Sequence, residues 1–169
     1  MNKSFDKVPH HRLVLKLEAH EINGNVLRWI ANWLSGRKQR VVLGGQVSDW
    51  REVLSGVPQG SVFGPILFVL YINDIDDSLS SKILKFTDDT KLYGTVNYVA
   101  GIDSLRLDLQ KLVLRSTEWQ MLFNIDKCKV LHLGHNNPEV HYTMLTSQLQ
   151  AVHEERDFGI IVSADVHQA

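Results

Sequence analysis

Residues 82–94, KILKFTDDTKLYG, set two carboxylates, Asp88 and Asp89, side by side between runs that read as strands. The pattern predicts a β-hairpin with the acidic pair at its turn. Like charges on neighbouring residues repel, and the bland account is that water solvates both while Asp supports the turn. The sharper account is that divalent cations neutralise them, because Mg²⁺ takes carboxylate oxygens together with substrate phosphates. Two such ions about 3.5–4 Å apart stabilise both the attacking and the leaving oxygen of a phosphoryl transfer.

Working upstream, residues 55–65, SGVPQGSVFGP, hold three glycines, two prolines and two serines and read as a loop. Pro65 can open a helix through residues 65–79, apolar on nearly every side in its first two turns and therefore expected to be buried. Residues 39–53 form β-favouring runs around Gly44-Gly45, which supply the positive φ values of a tight hairpin turn. Before them, Leu13 with Leu17, and Val26, Ile30 and Leu34 or Trp33, lie at helical spacing, which predicts two short helices. Gly36 is placed to end the second.

Downstream, Ile102, Leu105, Leu109, Leu112 and Trp119 repeat at steps that predict the longest helix, from about 101 to 123, with Asp103 in its first turn. CKVLHLG, EVHYTM and RDFGIIVS read as strands, with turn chemistry at 134–138. The fold class is α+β in one domain, residues 1–169.

With 18 Lys and Arg against 19 Asp and Glu, the chain has no overall basic surface of the kind that gathers nucleic acid, so any such contact is local. The single cysteine, Cys128, can form no internal disulfide, and no apolar run reaches the roughly 18 residues of a membrane span. The N-terminus lacks the apolar core of a secretory signal, so an intracellular setting with no membrane partner is the default expectation.

The loop SGVPQGSVFGPILFVLYINDI and the hairpin KFTDDTKLY resemble the reverse transcriptase palm of non-LTR, LINE-type retrotransposons. That pattern is a glycine-proline-glutamine-glycine loop followed by an aromatic-x-Asp-Asp hairpin. The resemblance extends to FDKVPHHRLVLKL and WLSGRKQRVVLGG before these motifs, and to WQMLFNIDKCKVLHLG and ERDFGIIVS after them. It implies a palm-like antiparallel sheet bearing the Asp-Asp hairpin and packed on helices, with fingers and thumb largely missing.

By resemblance, Asp88 and Asp89 are the catalytic metal pair, carrying Mg²⁺ or Mn²⁺. Gly56, Pro58, Gln59 and Gly60 match the loop that lies against the templating base and incoming nucleotide. Glycine lets backbone approach a base or sugar closely, and glutamine offers both donor and acceptor. Phe5 aligns with the aromatic under the sugar of the incoming nucleotide, although an ordinary core phenylalanine fits as well. Lys127 matches a lysine near the triphosphate, or is a solvated surface lysine. Phe158 and Gly159 resemble the primer grip, where Leu is usual at the position of Phe158. The implied partners are an RNA template, a DNA primer and a deoxynucleoside triphosphate.

The chain also departs from the pattern. The third metal-binding aspartate expected six positions before Asp6 would fall at position zero, just upstream of Met1. Six residues of strand span about 20 Å, too far for Asp6 to substitute. Thr87 replaces the usual alanine. Glu21 stands where glycine is frequent after the first helix, and at positive φ it would cost roughly 1 kcal/mol. The expectation is a truncated polymerase palm, inactive alone. The alternatives are a noncatalytic module binding RNA or protein through exposed truncated surface, or an inert translated remnant.

His132, His135 and His141, with only Cys128 nearby, do not make the four-ligand spacing of structural zinc. The basic cluster RKQR at 37–40 reads as a charged helix end or a phosphate contact. Trp29, Trp33, Trp50 and Trp119 read as core or rim packing rather than base-stacking platforms.

Overall fold

A computed structural model describes residues 4–86, 89–157 and 159–164. Among them the elements are four α-helices and short paired strands, an α+β composition. The chain divides into two compact units, residues up to Ile75 with Trp119–Met121, and Asp76–Glu118 with the residues from Leu122 on. No described helix is long and apolar enough to cross a membrane.

The first unit is built on three helices. Helix α1 (His10–Ala19) turns Leu13 and Leu17 inward, as their spacing requires. It ends in a Schellman turn: the Ile22 amide donates to the Leu17 carbonyl, the Glu21 amide to that of Glu18, and Glu21 takes φ +63°. Helix α2 (Gly24–Leu34) buries Leu27, Ile30 and Leu34, so its inward face includes Leu27 and leaves Val26 exposed. Helix α3 (Phe63–Ile72) buries Leu67, Phe68 and Tyr71, while Phe63, Ile66 and Val69 are about half exposed. The expected full burial is therefore confined to one face.

Between α2 and α3 a nested ribbon pairs β1 (Lys38–Gln39) with β4 (Arg51–Glu52), and β2 (Val42–Leu43) with β3 (Gln46–Val47). Gly44 and Gly45 close it at φ +55° and +80°, the type I′ geometry that only such residues accept cheaply. The RKQR cluster thus runs into strand β1, past the end of α2, and does not cap the helix.

Among the described residues of this unit one cation is buried. Lys16, 3% exposed, pairs with Asp74 and lies 4.0 Å from the centre of the Trp119 ring. Tyr71 donates its hydroxyl hydrogen to the Trp119 carbonyl. Burial pushes the Tyr71 phenol up to about 12, against the lowering effect of Arg12 and with a further rise from Asp74. The cation, the rings and the carboxylate tie α1 and α3 to the segment 119–121.

In the second unit, β5 (Lys82–Phe86) pairs antiparallel with β6 (Asp89–Tyr93), giving the expected hairpin. Helix α4 (Val99–Glu118) starts earlier and stops sooner than its periodicity suggests. Asp103 consequently lies beyond the first turn, and Gln120 follows the helix at φ +57°. Its buried face carries Leu105, Leu112 and, between them, Asp108. Strand β7 (Lys129–Leu131) pairs parallel with β10 (Gln150–Val152), and β8 (Thr143–Met144) antiparallel with β9 (Ser147–Gln148). Strands β11 (Glu154–Asp157) and β12 (Ile160–Ser163) form the last hairpin. All described pairings are two-stranded sheets. Tyr142, Met144 and Leu149 pack with Leu105 in a second core.

Asp108 is fully buried on α4 and accepts from the amides of Ser80 (3.0 Å) and Ser81 (2.7 Å) and from Lys111 Nζ (3.2 Å). Burial alone would raise its carboxyl, but the bonds from Ser81, Ser80 and Lys111 outweigh it and hold the group below the usual range. The ionised form therefore stabilises the fold at neutral pH. That contribution fades as pH falls below about 4, the unfolded value, and through the lower folded one.

Asp108→Ala is expected to lower unfolding free energy by about 2–3 kcal/mol at pH 7 and to flatten the loss of stability below about pH 4, read by urea titration at a series of pH values. Glu21→Gly is expected to raise it by about 1 kcal/mol with no change in denaturant slope, because glycine adopts positive φ without strain.

Candidate active site

The acidic hairpin owes its placement to its base. Asp108 grips the amides of Ser80 and Ser81 immediately before β5, and Lys111 donates to the Ser78 carbonyl at 2.7 Å. Lys85, within β5, pairs with Asp76. Asp89 opens β6 directly opposite Phe86, and it is exposed. Thr87 and Asp88 lie outside the described residues. An exposed carboxylate at the head of an anchored hairpin suits a Mg²⁺ ion, which keeps several waters and takes one or two carboxylates besides phosphates. Among the described residues no three His, Cys, Asp or Glu side chains gather as a ready cation site.

The glycine-proline-glutamine loop is fastened in the first unit to the segment that begins with Phe5. Phe5–Lys7 form a single 3₁₀ turn, not the extended strand assumed for the reach of Asp6, and the Asp6 side chain is exposed. The Val57 amide donates to the Phe5 carbonyl (2.9 Å), the Gly56 amide to Val8 (2.8 Å), and Ser55 Oγ to Asp6 (2.8 Å). Gly56 has φ +89°, and a Cβ there would meet the Asp6 backbone at 2.7 Å, so the approach excludes any side chain. Two side chains, His10 and Arg37, donate to the Gly56 carbonyl, at 2.9 and 3.4 Å.

Beyond Gly56 the chain turns sharply. Ser61 Oγ donates to the Pro58 carbonyl (2.7 Å) and accepts from the Gly64 amide (2.9 Å), linking the loop to the first turn of α3. Gln59 and Gly60 are exposed at the crest, Gly60 with φ +81° and open space around it. Phe5 is partly buried and stacks on Phe68 with ring centres 4.2 Å apart. The loop and Phe5, two separate motifs of the sequence, are thus brought together by backbone bonds.

In the second unit, Lys127 ends a 3₁₀ turn (Ile125–Lys127) with its side chain in solvent. Gly159 sits in the β11–β12 turn at φ +85°, and Phe158 lies outside the described residues. Burial raises the Cys128 thiol above its usual value. Sequence reasoning missed Asp108 and His10. Asp108 had a signal, a carboxylate in the 3-and-4-spaced apolar stripe of α4. His10 had none, since its partner lies 46 residues away.

Comparison with known proteins identifies the family. A family model described as reverse transcriptase (RNA-dependent DNA polymerase) matches residues 1–154. The chain is 32% identical to a probable RNA-directed DNA polymerase from transposon X-element of Drosophila melanogaster, over 74% of this chain and 14% of that relative. It is 26% identical to the RNA-directed DNA polymerase from mobile element jockey of Drosophila funebris, over 96% of this chain and 19% of the relative. A jockey polymerase of Drosophila melanogaster is likewise 26% identical, over 76% of this chain and 15% of its own length. The chain therefore spans less than a fifth of the length of these relatives. With the loop, the acidic hairpin and the family match in agreement, the chain belongs to the reverse transcriptase (RNA-dependent DNA polymerase) family, as a stretch of the polymerase found in LINE-type mobile elements.

Proposed function

We propose that the chain carries the palm of a polymerase that copies an RNA template into DNA, with Asp88 and Asp89 as its metal-binding carboxylates. The observation that carries the proposal is the exposed Asp89 at the head of β6, in a hairpin whose base is fixed by a buried charge. Asp88 and Asp89 would hold Mg²⁺ or Mn²⁺. Bound there, the ion supplies charge neutralisation for transfer of a nucleotide to a primer 3′-hydroxyl. The unbroken family match over residues 1–154 supports reading both units as parts of one palm domain.

The chain's own groups take the remaining tasks. Gly56, Pro58, Gln59 and Gly60 would bring backbone and one amide side chain against the templating base and incoming nucleotide. Phe5 would stand under the sugar, its ring steadied by Phe68. Lys127 would meet the triphosphate as a solvent-facing point charge, and Phe158 and Gly159 would hold the primer end. The 169 residues correspond to under a fifth of the relatives' length.

A second reading, a noncatalytic module that binds RNA or a protein partner, has an observation of its own. Trp29 stacks on Trp33 and meets Phe63 edge-on at 5.4 Å, and Trp29 and Phe63 are both about half exposed. Exposed apolar faces of this kind favour association.

Mn²⁺ relaxation separates the readings. In ¹⁵N-labelled chain, sub-stoichiometric Mn²⁺ is expected to broaden the amides of Phe86, Asp89 and Thr90 first, and Asp89→Asn is expected to weaken that broadening about tenfold in Mn²⁺ concentration. Uniform broadening unaffected by Asp89→Asn would overturn the metal assignment. Templated DNA synthesis by the wild-type chain, abolished by Asp88→Ala, would overturn the expectation of a palm inactive alone while keeping the polymerase reading.

A further inference from the structure

The first residue of α1 does more than start a helix. The His10 ring reaches back 46 residues, with Nε2 2.9 Å from the Gly56 carbonyl oxygen. A carbonyl only accepts, so Nε2 carries a hydrogen and, in the neutral ring, the lone pair is on Nδ1. The opposite face of residue 56 is closed by the Asp6 backbone, and its amide is committed to Val8. These contacts are backbone to backbone and depend on the glycine alone. His10 and Arg37 are the side chains that close the carbonyl, and His10 makes the shorter contact.

We infer that His10 is a positioning residue for the Gly56–Gly60 loop, its Nε2–H holding the loop in register with the segment that presents Phe5. Phe5 and Gln59 are among the groups assigned above to the incoming nucleotide, so the inference rests on that assignment for its functional meaning. Its structural basis is separate. Residue 56 is the entry to the loop, and the crest at Gln59 and Gly60 is exposed and open around Gly60. Rotation about the Gly56 backbone would swing the crest, because glycine itself resists such rotation least. Holding the Gly56 carbonyl stops that rotation at its source.

Three measurements on the full 169-residue chain test this. Long-range ¹H–¹⁵N correlation on the wild type is expected to show His10 protonated at Nε2; a neutral ring with its hydrogen on Nδ1 would overturn the inference without any variant. His10→Phe, which keeps a ring but no donor, is expected to raise hydrogen exchange of the Gly56 and Val57 amides about tenfold with the α3 amides unchanged, and His10→Gln, which restores an N–H, to recover most of the protection. Protection within twofold of wild type in His10→Phe would overturn it. In a titration with dGTP and Mg²⁺, followed at the Gly60 amide, His10→Phe is expected to raise the apparent Kd about five- to tenfold while Mn²⁺ broadening at Asp89 stays as in the wild type. A wild type that shows the tautomer and the protection but no response to dGTP would instead sink the nucleotide assignment and leave the hold itself standing.

Discussion

The missing side chain at residue 56 is the constraint from which the architecture of the first unit follows. Backbone of Asp6 comes so close that a Cβ would sit 2.7 Å from its Cα, and at φ +89° only glycine is unstrained there. That approach lets the Gly56 amide reach Val8 and the Val57 amide reach Phe5, so two segments far apart in sequence are joined as in a short ladder. Val8 and Val57, which flank the join, are both in the core with Leu13 and Phe68. Apolar burial then holds what the glycine permits.

The second unit solves a similar problem by charge. A two-stranded ribbon is marginal in water by itself, and β5–β6 is such a ribbon. Its entry strand is fixed at Ser80 and Ser81 by the Asp108 carboxylate, which is satisfied by two amides and an ammonium. A buried charge is costly unless paired and hydrogen-bonded, and this one is both. The consequence is that a helix whose outer face is ordinary carries, on its inner face, the anchor for the acidic hairpin. Each unit therefore presents an exposed polar side chain, Gln59 in one and Asp89 in the other, on anchored backbone.

Lys16 shows the same economy in a different form. Its ammonium lies over Trp119 and pairs with Asp74, and the Tyr71 hydroxyl reaches the Trp119 carbonyl. A lysine on the buried side of an amphipathic helix is a departure from pattern, and it is tolerated because ring faces and a carboxylate replace its water.

The sequence alone determined what short-range chemistry encodes. The helical spacing of Leu13 and Leu17, the Gly44-Gly45 turn, the glycine-proline loop and the hairpin at 82–94 each rest on residues within a few positions of one another. The motifs were equally legible, since loop and acidic pair are local strings. Tertiary structure decided the rest: Leu27 over Val26 on the buried face of α2, the half-exposed side of α3, and the parallel pairing of β7 with β10. It also decided the partners of Asp108 and His10. These depend on contacts across 20 to 50 residues, and periodicity specifies that a face is apolar without specifying what packs on it or which buried polar group will be satisfied there.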